Sequence, residues 1–275
     1  MSFLEPNLDA ALTDLTRRPQ VLVALDFDGV LAPIVPEPDA ARTLPRSAPV
    51  LHALAALDGV HVALVSGRTL DDLRHLADPP PSASLVGSHG AQVADEHGQD
   101  VGAATTLDEG SRNLVARTST ALHEISARYP GTFVEDKPVG AALHTRQIAV
   151  REDAVAAAQS AVQGPGSWPG VRMTLGKEVV DLSVVDVDKG VALLQLREAI
   201  GLPPGSGGVV YIGDDVTDED AFAVLDDAAG DVTVKVGEGK TGARHRIDDP
   251  DAVADVLLRI LDLLGTRPAT RTVMR

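Results

Sequence analysis

The run Val21 to Leu25 is unbroken apolar sequence that stops at Asp26-Phe27-Asp28-Gly29, the pattern of a strand buried on both faces and ended by a polar loop. A Pro-rich loop follows. Val50, Leu51, Leu54 and Leu57 then recur at helical spacing before Asp58-Gly59, which predicts a helix with a glycine stop. Val60 to Val65 reads as a second strand, closed by Ser66-Gly67-Arg68. Thr69 and Asp72 are spaced as a capping box, with Leu70, Leu73 and Leu76 on one face of the helix it would start. Leu85-Val86-Gly87 is a third strand candidate. Strand and helix alternating in this way predict a parallel sheet covered on both faces.

From about residue 96 the pattern changes. A long helix through Leu114, Leu122 and Ile125 ends at Pro130, and strands are expected over 132–135 and 141–150 around an Asp136-Lys137-Pro138 turn. A helix near 152–163, a Gly/Pro loop over 164–170 and strand-like segments from Val171 to Val185 complete an α+β insertion. After Lys189 the alternation resumes: a helix to Ile200, a strand Val209–Ile212, a helix capped by Thr217, a strand Val232–Val236, and a last helix carrying Val253, Val256, Leu257, Ile260 and Leu261. The expected organisation is one α/β unit made of 1–95 and 180–275, interrupted by a second unit at 96–179. A frayed tail is expected after Gly265.

Composition narrows the partners. Acidic residues outnumber Lys plus Arg by 40 to 24, for a net charge of −16, a field that repels nucleic acid and anionic lipid. An anionic substrate would be repelled as well, so a phosphate-handling site must carry its own cations. There is no cysteine, which excludes disulfides, thiolate catalysis and Cys-type zinc sites. The start of the chain lacks a secretory leader pattern and no apolar run is long enough to span a membrane. A cytoplasmic, monomeric protein is the expectation. Gly239-Lys240-Thr241 lacks the upstream glycine of a P-loop, and the eight histidines include no His-Glu-x-x-His pair.

Four polar clusters fall where core strands end: Asp26/Asp28, Ser66, Lys189 and Asp214/Asp215/Asp218. Ligands of open parallel sheets bind beyond the carboxyl ends of strands, so these clusters are expected to converge. Asp26, Asp28 and Asp214 form an all-oxygen set suited to Mg²⁺. For phosphoryl transfer, Asp26 would attack phosphorus, Asp28 would protonate the leaving oxygen and later deprotonate water, and Ser66 and Lys189 would hold phosphate oxygens. Taken singly each cluster has a plainer reading: a strand-ending turn, a loop, a solvated helix start, or an acidic helix cap at Thr217 and Asp220.

Together they resemble the haloacid dehalogenase-type phosphatases, whose four motifs match Asp26-Phe-Asp-Gly-Val, Ser66, Lys189 and Gly213-Asp214-Asp215-x-x-Asp218. Within that superfamily the chain is most similar to the trehalose-6-phosphate phosphatases, through Ser66-Gly67-Arg68, Gly87-Ser88-His89-Gly90, Glu135-x-Lys137, His144-x-Arg146 and the run from Gly213 to Phe222. The resemblance implies a Rossmann-like parallel-sheet core with an inserted α+β cap of the C2 type. It implies Mg²⁺ held by the Asp26 and Asp214 carboxylates and the Asp28 carbonyl, with Asp215 and Asp218 in the same acidic set. It also implies sugar recognition by Glu135 and Lys137, with His144, Arg146, Lys177 and Glu178 nearby and Gly67, Arg68 and His89 at the mouth. The implied reaction is hydrolysis of trehalose-6-phosphate. Other sugar phosphates (sucrose phosphate or mannosylphosphoglycerate), a phosphomutase, and a sugar-phosphate-binding regulator without turnover remain alternatives.

Overall fold

The computed structural model describes residues 4–99, 107–176, 178–186, 188–202 and 205–266. The strands are β1 (Val21–Leu25), β2 (Val60–Val65), β3 (Ser84–Gly87), β4 (Gln92–Ala94), β5 (Phe133–Lys137), β6 (Gly140–His144), β7 (Arg172–Gly176), β8 (Val179–Ser183), β9 (Gly208–Gly213), β10 (Val232–Val236) and β11 (His245–Ile247). The helices are α1 (Pro6–Leu15), α2 (Ala48–Ala55), α3 (Leu70–Ala77), α4 (Glu109–Ser126), α5 (Arg151–Gln163), α6 (Lys189–Ala199), α7 (Asp218–Ala223) and α8 (Pro250–Gly265).

A seven-stranded sheet runs β11-β10-β9-β1-β2-β3-β4, parallel except for β4, which pairs antiparallel with β3. The five residues of β1 are all buried, and they alternate between two cores. Val21, Val23 and Leu25 join Leu12, Leu54, Leu73 and Leu257 on one face. Leu22 and Ala24 join Leu193, Leu196, Tyr211 and Phe222 on the other. Burial of both faces is why the strand reads as continuous apolar sequence rather than alternation. Strand order reverses at β1, between β2 and β9, and the crevice outside the carboxyl ends at such a reversal is where ligands settle.

The second sheet, β5-β6-β8-β7, is antiparallel throughout. One face packs on α4 and α5 through Leu122, Ile125, Ala157 and Ala161 against Val134, Leu143, Val180 and Leu182. The opposite face turns toward the first unit. The α/β class expected from the sequence is therefore the one observed.

Several details differ from the sequence expectations. The strand expected over 141–150 stops at His144: after it the Ile148 N–H bonds back to the Thr145 carbonyl, and the chain turns away. Asp136 and Lys137 lie inside β5, and the turn falls at Pro138 and Val139. The second sheet continues through Ser183, paired with Gly140 and Arg172, so a boundary at 180 cuts β8. Thr217 caps α7 by position only and makes no side-chain bond to it. The tail expected to fray lies, apart from Thr266, outside the described residues. Among the described residues no helix is long and apolar enough to cross a membrane.

Candidate active site

The end of β1 delivers Asp26 into the crevice, 5% exposed, with its own N–H bonded to the Ile212 carbonyl of β9. One carboxylate oxygen accepts the Phe27 N–H at 2.6 Å. The other accepts Lys189 Nζ at 2.8 Å, although the two residues lie 163 positions apart. Lys189 opens α6 behind the Asp188 cap and also donates to Asp218 Oδ1 at 2.8 Å. Asp218 is fully enclosed: Tyr211 OH donates to Oδ1 at 2.7 Å, and the N–H groups of Asp214 and Asp215 each donate to Oδ2 at 2.9 Å. Every lone-pair direction of Asp218 is thus used within the protein. Its role is to fix the loop that carries Asp214.

Asp26, Asp214 and Asp218 each offer an oxygen within 4.8 Å of the others. Lys189 lies among three carboxylates and Lys235 adds its charge only beside Asp214, so the charges do not balance. Burial would raise Asp218, but the Lys189 charge and hydrogen bond outweigh it and hold the group below its usual range. Burial drives Asp26 well above the ordinary carboxylate range despite Lys189, with Asp218 and Asp214 adding to the rise. Asp214 is pushed up to about 7 by burial and by Asp218. Carboxylates that can ionise only with difficulty mark a place short of positive charge. Gly29 keeps this place open: at φ +77°, a Cβ there would sit 2.0 Å from Asp214 Oδ2. An all-oxygen, charge-deficient pocket fits a hard divalent cation.

Asp28 and Asp215 stand apart from this trio. Arg68 grips both oxygens of Asp28, Nε at 2.6 Å and a terminal nitrogen at 2.8 Å, while stacking over Phe27 at 5.4 Å and donating to the Pro38 carbonyl. The Asp215 side chain points outward, exposed. Ser66 is buried after β2, its N–H bonded to the Val86 carbonyl and its Oγ accepting the Arg68 N–H.

The second sheet supplies the roof. Lys137 donates to the Gly67 carbonyl at 3.2 Å and pairs closely with Asp181. Glu135 bonds His144 at 3.0 Å; burial would raise Glu135, yet His144, Lys137 and Arg68 together keep it below its usual range. His89 sits at φ +54° beside Ser88 at φ +49°, its ring against Gly67, where a Cβ would meet it at 2.5 Å. Burial lowers His89 to about 4 against the pull of Asp181, 3.6 Å away, so the ring is neutral at pH 7. Arg146 and Glu178 are exposed, and among the described residues neither side chain bonds to this group, Glu178 forming the β7–β8 turn at φ +61°; Lys177 lies outside the described residues. Asp181, Tyr211 and Lys235 were not foreseen as part of the site. Asp181 carried a signal, since it is the one charged residue of its strand. Lys235, buried in β10 and donating to the Asp214 carbonyl, was hidden within a strand-like run.

The family model for trehalose-phosphatase matches residues 24–252. A trehalose-phosphate phosphatase of Mycobacterium tuberculosis is 33% identical across 99% of this chain and 69% of its own length. An uncharacterized glycosyl hydrolase of the same organism is 35% identical across 89% of this chain, which spans only 18% of that longer protein. The C-terminal domain of Candida albicans trehalose-6-phosphate phosphatase has the same fold, with a TM-score of 0.78 at 22% identity, covering 93% of this chain and 97% of its own. The chain belongs to the trehalose-phosphatase family.

Proposed function

We propose that this protein hydrolyses trehalose-6-phosphate to trehalose and inorganic phosphate, with Asp26 as nucleophile. The observation that carries the reading is the buried Asp26–Lys189–Asp218 chain beside Asp214, at the reversal of strand order. The unit bearing this chain is the phosphatase core, and the unit bearing Glu135 and Lys137 is its cap.

An oxygen of Asp26 attacks phosphorus in line, and the bond from phosphorus to the sugar oxygen breaks. The departing oxygen takes a proton from Asp28, giving free sugar and a phosphoaspartate. Asp28 then takes a proton from water, whose oxygen attacks the same phosphorus and restores the Asp26 carboxylate with release of phosphate. Lys189 holds Asp26 in place and, with Ser66, binds the phosphate oxygens. Asp28 works in this scheme only after the Arg68 fork lets go of it, and an incoming phosphate offers that guanidinium a competing anion. Asp26, Asp214 and the Asp28 carbonyl would hold Mg²⁺, which supplies charge neutralisation for the phosphate. Glu135, Lys137 and His144 read sugar hydroxyls, and closure of the cap over them excludes bulk water.

The test is phosphate release from trehalose-6-phosphate, with Mg²⁺ and with EDTA, by the wild type and Asp26→Asn. The wild type should be active only with the metal, and the variant should be folded and inactive. Undiminished release by Asp26→Asn removes the mechanism.

A further inference from the structure

The roof of the cleft extends beyond Glu135 and Lys137. Pairing across the second sheet sets Lys137 opposite Gly140, Gly140 opposite Ser183 and Ser183 opposite Arg172. The adjacent row on the same face is Glu135, Ala142, Asp181 and Thr174. Neighbouring strands lie about 4.8 Å apart, so the three intervals from Lys137 to Arg172 span about 14 Å. Gly140 stands in the middle of the first row, tight against the backbone of β8. Gly140 has no room for anything larger, since a Cβ would lie 1.8 Å from the Leu182 carbonyl oxygen. A cavity of about 220 Å³ opens there, with Lys137, Asp181, His89, Thr174 and Arg172 among its lining.

The two ends of this row differ. Lys137 reaches the Gly67 carbonyl, next to Ser66 and the phosphate end of the crevice. Among the described residues Arg172, at the far edge, pairs with Asp186 alone, their side chains 61% and 76% exposed. An exposed ion pair contributes little to stability, so the guanidinium changes partner at small cost. Its planar fork of donors suits neighbouring hydroxyls on a ring. A ligand anchored by phosphate near Ser66 reaches this edge only if it carries a second ring.

We propose that Arg172 is a specificity-determining residue that binds hydroxyls of the sugar ring remote from the phosphate. The inference rests on the two-ring sugar phosphate proposed above. The experiment compares kcat and KM for trehalose-6-phosphate and for glucose-6-phosphate in the wild type, Arg172→Ala, Arg172→Lys and Asp186→Asn. Arg172→Ala should raise KM for the two-ring substrate about tenfold with little change in kcat, lowering the preference over the one-ring substrate by the same factor. Arg172→Lys should recover part of the loss. Asp186→Asn, which frees the guanidinium, should lower KM for the two-ring substrate. A merely structural role for the ion pair would shift Arg172→Ala and Asp186→Asn in the same direction, and that result overturns the proposal. A wild type with no preference for the two-ring substrate sinks this inference and the substrate reading together. A wild-type preference that survives in Arg172→Ala overturns the role of Arg172 alone.

Discussion

Replacing Lys189 with methionine tests the charge balance of the site directly. Methionine matches the length of the lysine stem and removes only the ammonium group and its two bonds, to Asp26 and to Asp218. The two carboxylates then fare differently. Asp218 keeps three donors, Tyr211 OH and the N–H groups of Asp214 and Asp215, whereas Asp26 keeps the Phe27 N–H. Uncompensated charge therefore collects on Asp26, whose side chain is 7% exposed. Removing one partner of a buried pair costs about 3–5 kcal/mol. Protonation of Asp26 relieves part of this, so about 3 kcal/mol is expected at pH 7. At roughly 2–4 °C per kcal/mol for a chain of this size, Tm in EDTA should fall by about 6–12 °C. The assay is thermal unfolding followed by circular dichroism, in EDTA and in excess Mg²⁺, where a cation bound by the remaining carboxylates should restore part of the loss. A shift below about 2 °C in EDTA would mean that the ammonium group is not what holds these carboxylates together.

Without metal, stability should fall as pH rises from about 6.5 to 7.5: Asp26 and Asp214 both lie above their usual values in the folded chain, so folding retains protons that the unfolded chain has lost. Below about 6.5 the depressed His89 acts in the opposite sense. Urea midpoints in EDTA across the upper window check this, and a midpoint that climbs with pH contradicts it. Gly29→Ala should lower phosphate release about a hundredfold or more by displacing Asp214, which turnover and Mg²⁺ titration would measure; near-normal turnover would show that the cradle is not needed. Lys137→Met removes the bonds to Gly67 and Asp181, and small-angle scattering of the ligand-free protein should show a larger radius of gyration. Superimposable curves would show that the cap is held by other contacts.

The sheet was legible in the sequence where its strands are buried on both faces. Val21–Leu25, Val60–Val65 and Val232–Val236 match the expected strands residue for residue, although His61, Thr233 and Lys235 interrupt the apolar pattern of the last two. Short or half-covered elements were less clear: β4 has three residues, and α1, with Leu8, Leu12 and Leu15 facing the core, lies where no helix was expected. The two capping-box patterns had opposite outcomes. Thr69 accepts the Asp72 N–H as its spacing predicts, whereas at Thr217 no such bond forms, and the neighbouring Asp218 is recruited by Lys189 and Tyr211 from other elements. Tertiary partners of this kind leave no trace in local spacing. The same holds for Arg68 and Asp28, whose bond joins loops after two different strands and could not be read from either motif alone.

The placement of β1 has a consequence for how the molecule is made. Its partner β9 is synthesised only after the whole second sheet, so a growing chain carries an unpaired, wholly apolar edge for most of its emergence from the ribosome. Such an edge invites pairing with other chains, and closing it requires a distant segment to arrive, which slows folding. The catalytic pocket is accordingly among the last parts of the protein to exist.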